Sequence, residues 1–221
     1  MTCGEFVTET APDWMLTMDI QLTYSGDGGE TYHRAGAREP ILKCGARDGP
    51  LARESGTVYP PSAPFVHGEE NEIWLYYHGN NLLHGERTRD GAAPSQGLYL
   101  AKIPQDRLVC LKPEAEDEEA VVTTVPLALS DAAALRLNVE VRDGGEVSVT
   151  LLGAWGSELA QAAPITTSGL EQPVSWLDSA APGAESTPQS DGEEKMTWQL
   201  HGSVKVRVAL RRASLFAIYH L

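Results

Sequence analysis

The feature that most constrains the fold of this chain is the alternation of apolar and polar residues with a period of two. The alternation is strictest over residues 204–210 (VKVRVAL). Residues 73–77 (IWLYY) are β-branched, aromatic or leucine throughout. Successive side chains of a strand point to opposite faces, and no long segment shows a helical period. The pattern therefore predicts an all-β fold.

Turn residues between the alternating segments predict the hairpins. Residues 68–71 (GEEN) separate predicted strands 62–67 and 72–78, and residues 104–106 separate 97–103 from 107–111. The dipeptide Gly144-Gly145 lies in a predicted tight turn between strands 135–141 and 147–151. The remaining predicted strands are residues 18–24, 121–129, 204–210 and 214–219.

Composition and charge exclude several classes of partner. The formal net charge of −14 argues against nucleic acid, because phosphate binding needs a basic surface. No apolar run approaches the length needed to cross a membrane, so no membrane partner is expected. The first residues lack a secretory signal, which predicts a cytoplasmic protein if Met1 is the true start and leaves the location open if the chain is truncated.

Residues 25–32 (SGDGGETY) form the most specific local motif. The hydroxyl of Ser25 and the carboxylate of Asp27 can close a turn on nearby backbone N–H groups. Gly29 can take positive φ, Thr31 adds a second hydroxyl, and the ring of Tyr32 can pack over the turn. These five residues form the pattern of an Asp box, a structural turn of sialidase-like β-propellers.

The order of segments resembles a known architecture. After the Asp box come ESGTVYPPSAPFV, EIWLYYHGNNLLHG, GLYLAKIPQDRLVCL and finally VKVRVALRRASLFAIY. This order resembles the C-terminal part of sialidase-like or invertase- and arabinanase-like proteins, in which a five-bladed propeller precedes a β-sandwich. The resemblance implies terminal propeller blades over residues 1–113, an acidic linker over 114–120 and a β-sandwich over 121–221. Residues 178–195 are predicted to be a mobile insertion.

The resemblance implies a carbohydrate-related function without catalysis by this chain alone. Glycoside hydrolysis needs two carboxyl groups across the scissile bond, and the family's catalytic carboxylates belong to earlier blades. The missing blades could come from a longer chain or from another subunit. The alternatives are a stand-alone carbohydrate-binding or protein-interaction module, and a truncated gene product.

Five residues are predicted to contact a sugar. Glu54, in the segment RESG where relatives usually read WDSG, is the one candidate for a catalytic carboxylate. Tyr77, His78 and His84 belong to the segment that lies near the propeller axis in the resembling family, and Tyr59 is of the same kind. Aromatic rings can stack on a sugar and imidazoles can hydrogen-bond its hydroxyls.

No metal or cofactor is predicted. The histidines lack ligand spacing on a shared element, and the three cysteines are odd in number and widely spaced. Trp155, Trp176 and Trp198 could form a sugar-stacking platform, but isolated tryptophans of a sandwich are more often core residues, and the core interpretation is favoured.

Overall fold

The structure is a computed structural model that describes residues 17–36, 38–45, 54–60, 62–85, 95–115, 117–129, 132–177, 184–188, 194–198 and 203–220. Nearly all regular structure in these ranges is β-strand, arranged in several sheets, none of which closes on itself. The all-β class predicted from the alternation is therefore confirmed. The chain divides into two compact units, Met1–Leu108 and Val109–Leu221.

The first unit contains a four-stranded antiparallel sheet around one central strand, β7. The strands of this unit are β1 (Ile20–Gln21), β2 (Thr23–Tyr24), β3 (His33–Arg34), β4 (Pro40–Leu42), β5 (Thr57–Tyr59), β6 (Phe65–His67), β7 (Glu72–Asn80) and β8 (Gln96–Pro104). β8 pairs along the whole of β7, while β5 and β6 each pair with one end of it. The hairpin predicted around residues 68–71 is confirmed.

The second unit contains a five-stranded antiparallel sheet built on two long strands. Its strands are β9 (Glu119–Thr123), β10 (Leu135–Gly153), β11 (Glu158–Gln161), β12 (Gly169–Pro173), β13 (Ala184–Pro188), β14 (Glu194–Trp198) and β15 (Val204–His220). β10 pairs with β15 on both sides of an interruption at residues 142–145, β9 adds to β15, and β11 and β12 add to β10. β13 and β14 form a separate pair.

One apolar face of the β10–β15 pair forms the centre of the core of the second unit. Its buried side chains are Leu135, Leu137, Val139, Val147, Val149, Leu151, Val204, Val206, Val208, Leu210, Ala213 and Leu215. Full burial of each Val or Leu stabilises the fold by about 1.5–3 kcal/mol relative to exposure. The period of two seen in the sequence therefore determines which face packs inward.

A bulge interrupts the β10–β15 pair where the alternation in the sequence breaks. Val141 pairs with Ala213 and Glu146 pairs with Arg211, so residues 142–145 lie opposite Arg212 alone. Across the bulge the alternation of β15 shifts by one residue, so that Arg211 and Arg212 are followed by the buried Ala213.

Two glycines and one arginine adopt the backbone that this bulge requires. Gly144 and Arg212 have φ values of 69° and 47°, in the left-handed region. At Gly145 a Cβ atom would lie 2.5 Å from the carbonyl oxygen of Arg212, so no side chain fits there. The predicted hairpin turn at this position is therefore wrong, because both predicted strands belong to one strand that continues through the bulge.

Three other predicted strands differ from the structure. Residues 18–24 form two short strands that belong to different sheets, β1 and β2. Residues 107–111 form no strand, and only Leu111 makes an isolated bridge, to Leu215. The strand predicted over 121–129 is confined to β9. The partners of β1 and β2 are only three and two residues long, and beyond β9 the third segment keeps a single bridge to β15, from Leu127 to Val204.

The predicted insertion at residues 178–195 lies largely outside the described residues. Of this segment the structure describes β13 and the first two residues of β14, whose backbones pair in antiparallel register from Ala184–Trp198 to Pro188–Glu194.

Candidate functional site

The sheet around β7 separates the predicted site residues between its two faces. Tyr77 lies on the face that carries Ile73 and Leu75, and all three are buried. Tyr59 and His78 are register partners on the opposite face. Because neighbouring residues of a strand point to opposite sides, Tyr77 and His78 cannot contact the same ligand from this sheet.

Glu54 and Tyr77 form a buried hydrogen-bonded pair. The Tyr77 hydroxyl donates to Oε2 of Glu54 at 2.8 Å, and Glu54 is only 4% exposed. Gly79 creates the space for Glu54, since a Cβ at Gly79 would lie 2.7 Å from Cγ of Glu54. The ring of Tyr99 stacks on Tyr77 with ring centroids 5.4 Å apart. The Tyr77 hydroxyl thus supplies a hydrogen bond that the buried carboxylate of Glu54 requires.

Burial raises the pKa of Tyr77 above its ordinary value, and the hydrogen bond to Glu54 and the charge of that carboxylate raise it further. The phenol therefore keeps its proton at neutral pH and acts as a donor. A tyrosine held in its neutral form is a poor nucleophile, so the pair suits a structural role better than a chemical step.

The raised pKa predicts a loss of stability in alkali. An unfolded tyrosine loses its proton near pH 10, whereas folded Tyr77 keeps it. The contribution of Tyr77 to stability is thus complete below about pH 10 and declines as the pH rises towards the folded pKa. We expect the Tyr77→Phe variant to be less stable than the parent at neutral pH, by about 1–3 kcal/mol, because Glu54 loses its donor.

Urea unfolding at a series of pH values measures this difference. The free energy of unfolding should fall more steeply above pH 10 in the parent than in Tyr77→Phe. Tyr76→Phe, which removes an exposed hydroxyl from the same strand, serves as the control and should follow the parent. If the free energy of unfolding changed with pH in the same way for the parent and Tyr77→Phe, the raised pKa of Tyr77 would be contradicted.

The opposite face of the sheet carries a group of aromatic side chains, which we call the aromatic face. Its members are Tyr59, Phe65, His67, Trp74, Tyr76 and His78. Phe65 and Tyr76 are stacked at 23°, with ring centroids 6.2 Å apart, and are 44% and 37% exposed. The rings of Tyr59 and His78 form a second pair on this face, with their centroids 6.4 Å apart.

Charged groups fix Trp74 within the aromatic face. The indole N–H of Trp74 donates to Oε2 of Glu72 at 2.8 Å, and Lys102 Nζ lies 4.4 Å from the indole ring centroid. These groups are linked by a Lys102–Glu72 ion pair at 3.2 Å. The indole hydrogen bond and then Lys102 lower the pKa of Glu72. The aromatic face therefore combines exposed rings with a charged, hydrogen-bonding border.

The remaining predicted sugar-contacting residue, His84, lies in an exposed turn that follows the end of β7, and it belongs to neither face of the sheet. Sequence reasoning missed Phe65 and Trp74 as members of a candidate surface. The available signal was their period-two relation to Tyr76 across the predicted hairpin.

The Asp box adopts the hydrogen bonds expected from its residues. The amide of Gly29 donates to Ser25 Oγ at 2.8 Å, and the amide of Thr31 donates to Asp27 Oδ1 at 2.9 Å. The hydroxyls of Ser25 and Thr31 also donate to the Asp27 carboxylate. These bonds, led by that of the Thr31 hydroxyl, lower the pKa of Asp27. Tyr32 is 66% exposed, and its hydroxyl lies over Gly29.

The tryptophans of the second unit are not equivalent. Trp155 is fully exposed, which contradicts its assignment to the core. Trp176 packs against the core and donates its indole N–H to the carbonyl of Ala132 at 3.0 Å, as a core tryptophan should. The side chain of Trp198 lies outside the described residues.

No protein family, curated protein or solved structure was found to match this chain. Membership of the sialidase-like propeller family therefore stays a prediction. Among the described residues, no helix has the length and apolar character needed to cross a membrane. The same residues contain no group of three or more histidine, cysteine or acidic side chains placed to hold a metal ion.

Proposed function

We propose that this chain is a carbohydrate-related protein without catalytic activity of its own, and that it binds sugar on the aromatic face. The observation that carries the proposal is the pair of exposed, nearly parallel rings of Phe65 and Tyr76. A pyranose has an apolar C–H face and polar edges. Its apolar face can stack on such rings while polar side chains bind its hydroxyls.

The polar groups needed to orient a sugar lie beside these rings. His78 and Lys102 can donate to sugar hydroxyls, and the ionised Glu72 can accept from them. This mixture favours an amphipathic ligand such as a sugar over a purely apolar one. The ordered resemblance to the C-terminal half of glycoside hydrolases supports the same class of ligand.

Glu54 has no catalytic role in this proposal. Its carboxylate is buried and bound by the Tyr77 hydroxyl, and it lies on the face opposite the exposed rings. Hydrolysis would require a second carboxyl group across the bond from it. We expect no hydrolysis of aryl glycosides by this chain, in the parent and in Glu54→Gln alike.

A glycan array followed by titration calorimetry tests the binding. The parent should bind at least one glycan above background, and Tyr76→Ala should weaken that binding about tenfold or more through loss of the stacking ring. Trp155→Ala removes a larger exposed ring from the second unit and should leave the affinity unchanged. Equal weakening by both variants, or no binding by the parent at millimolar sugar, would overturn the proposal.

A protein-interaction role is the second candidate. Leu98 and Leu100 extend the aromatic face along β8 and are 68% and 36% exposed. Aliphatic side chains next to aromatic ones are typical of protein interfaces, which bury larger apolar areas than a sugar does. Leu98→Ser would weaken a protein contact while sparing a sugar that stacks on Phe65 and Tyr76.

A further inference from the structure

The bulge in the second unit lies beside a cavity whose wall includes three cationic side chains. The cavity has a volume of about 130 Å³, and Lys112, Arg142, Arg212 and Ser214 contribute to its wall. Among the described residues of that wall, Glu114 is the only one with a carboxylate. The chain as a whole carries a net charge of −14, so this concentration of positive charge is local.

The backbone at the bulge is strained at Arg212, one of these cations. Arg212 has a φ of 47°, a conformation that costs a residue with a side chain roughly 1–2 kcal/mol. Gly145 cannot carry a side chain, because a Cβ atom there would lie within 2.9 Å of the carbonyl oxygens of Arg212 and Arg142. Such strain persists only where the surrounding structure enforces it, and it is concentrated at functional positions.

The ion pair that now engages Arg212 is exposed and therefore exchangeable. A nitrogen of the Arg212 guanidinium lies 2.8 Å from Oδ1 of Asp117, whose side chain is 87% exposed. An exposed pair of this kind contributes little net stability. Asp117 and Arg212 also line a neighbouring hollow of about 230 Å³ together with Arg211. The carboxylate of Asp117 thus occupies the position that an anionic ligand would compete for.

We propose that this cavity binds an oxyanion of the phosphate or sulfate type, either free or as an ester on a larger molecule. Arg142 and Lys112 supply charge, and Arg212 exchanges its contact with Asp117 for the ligand. Guanidinium groups match the geometry of tetrahedral oxyanions, and hydrogen bonds between charged partners are about twice as strong as neutral ones. The site is independent of the aromatic face and of the function proposed for it.

Titration of the full chain with inorganic phosphate and with sulfate, at constant ionic strength, tests this site. We expect saturable binding that weakens about tenfold or more in Arg142→Gln and in Arg212→Asn. Asparagine is chosen at residue 212 because it adopts positive φ readily. Asp117→Asn should have the opposite effect and strengthen binding, because it removes the competing carboxylate.

Arg207→Gln is the matched control. Arg207 lies on the same strand and is ion-paired with Glu158 at 3.1 Å, but it does not line the cavity. Its loss should change the affinity less than about twofold, an effect within ordinary screening of a remote exposed charge. Thermal melting of each variant checks that it folds. If an arginine variant does not fold, Asp117→Asn tests the site instead, since the proposal requires this variant to bind the anion more tightly than the parent.

Glycerol 2-phosphate, an ester with no sugar ring that could stack on the aromatic face, distinguishes the two sources of the anion. Tighter binding of the ester than of phosphate indicates a ligand that extends beyond the cavity, and equal affinities indicate a free ion. Absence of saturable binding by the parent would overturn the proposal. So would weakening by Arg207→Gln equal to that by Arg142→Gln, because net charge alone would then explain the result.

Discussion

Replacement of Leu137 by alanine should destabilise the second unit by about 2–5 kcal/mol. Leu137 is fully buried near the start of β10, where it belongs to the core formed with β15. Truncation removes apolar contacts and leaves a cavity that the two long strands cannot close without losing their register. Urea unfolding gives the change in free energy, and hydrogen exchange of peptides from β10 and β15 locates it.

Leu177→Ala is the matched control for this substitution. Leu177 is 61% exposed in the same unit, so the same change of side chain there should alter stability by no more than about 0.5 kcal/mol. Equal effects of the two substitutions would mean that the β10–β15 face is not the core of the second unit.

Replacement of Gly56 by alanine should destabilise the first unit by about 3 kcal/mol or more. A Cβ at this position would lie 1.9 Å from the carbonyl oxygen of Leu82, and backbone atoms cannot move aside as a flexible side chain can. Gly56 also donates its amide to the carbonyl of Asn80 at 3.0 Å. The added methyl group should therefore separate the segment that carries Glu54 from the end of β7.

Gly68→Ala separates this clash from the general effect of losing a glycine. No heavy atom lies within 4 Å of a Cβ built at Gly68, so that substitution should be close to neutral. Hydrogen exchange should rise in β5 and β7 for Gly56→Ala alone. If Gly56→Ala proved as stable as Gly68→Ala, the close approach of residues 56 and 82 would be wrong.

The parts of the fold that the sequence predicts are those decided by neighbouring residues. The Asp box forms as expected because its bonds join residues two or four positions apart. The β6–β7 hairpin follows from alternation on both sides of a four-residue turn. The alternation in residues 204–210 likewise identifies the inward face of β15, because that face repeats every second residue.

The bulge could not be predicted in the same way. Two glycines after Asp143 are typical of a tight turn, and local preference alone cannot distinguish a turn from a bulge in a strand whose partner lies far along the chain. The signal in the sequence was the adjacent pair Arg211 and Arg212, which interrupts the alternation of β15. That interruption requires an irregular partner, which is what Gly144 and Gly145 provide.

The sequence drew attention to the sheet that carries the candidate site, but it indicated neither the aromatic face nor the arrangement of the predicted residues. Glu54 and Tyr77 do come together, although their contact depends on the absence of a side chain at Gly79, two residues beyond Tyr77 on β7. Tyr59 and His78 lie on the other face, as the register of β5 and β7 dictates. Separation of the two groups explains why a buried carboxylate and an exposed aromatic face coexist in one small sheet.

The most direct measurement of the proposed function is a titration of the full chain with the glycan bound best on the array, followed through the indole N–H signals in NMR spectra. We predict saturable shifts of the Trp74 signal, whose indole lies in the aromatic face, with the Trp155 and Trp176 signals unchanged. The Trp74 shift should be lost in Tyr76→Ala. Saturable shifts confined to Trp155 or Trp176, or no shift at any glycan concentration, would contradict sugar binding on the aromatic face.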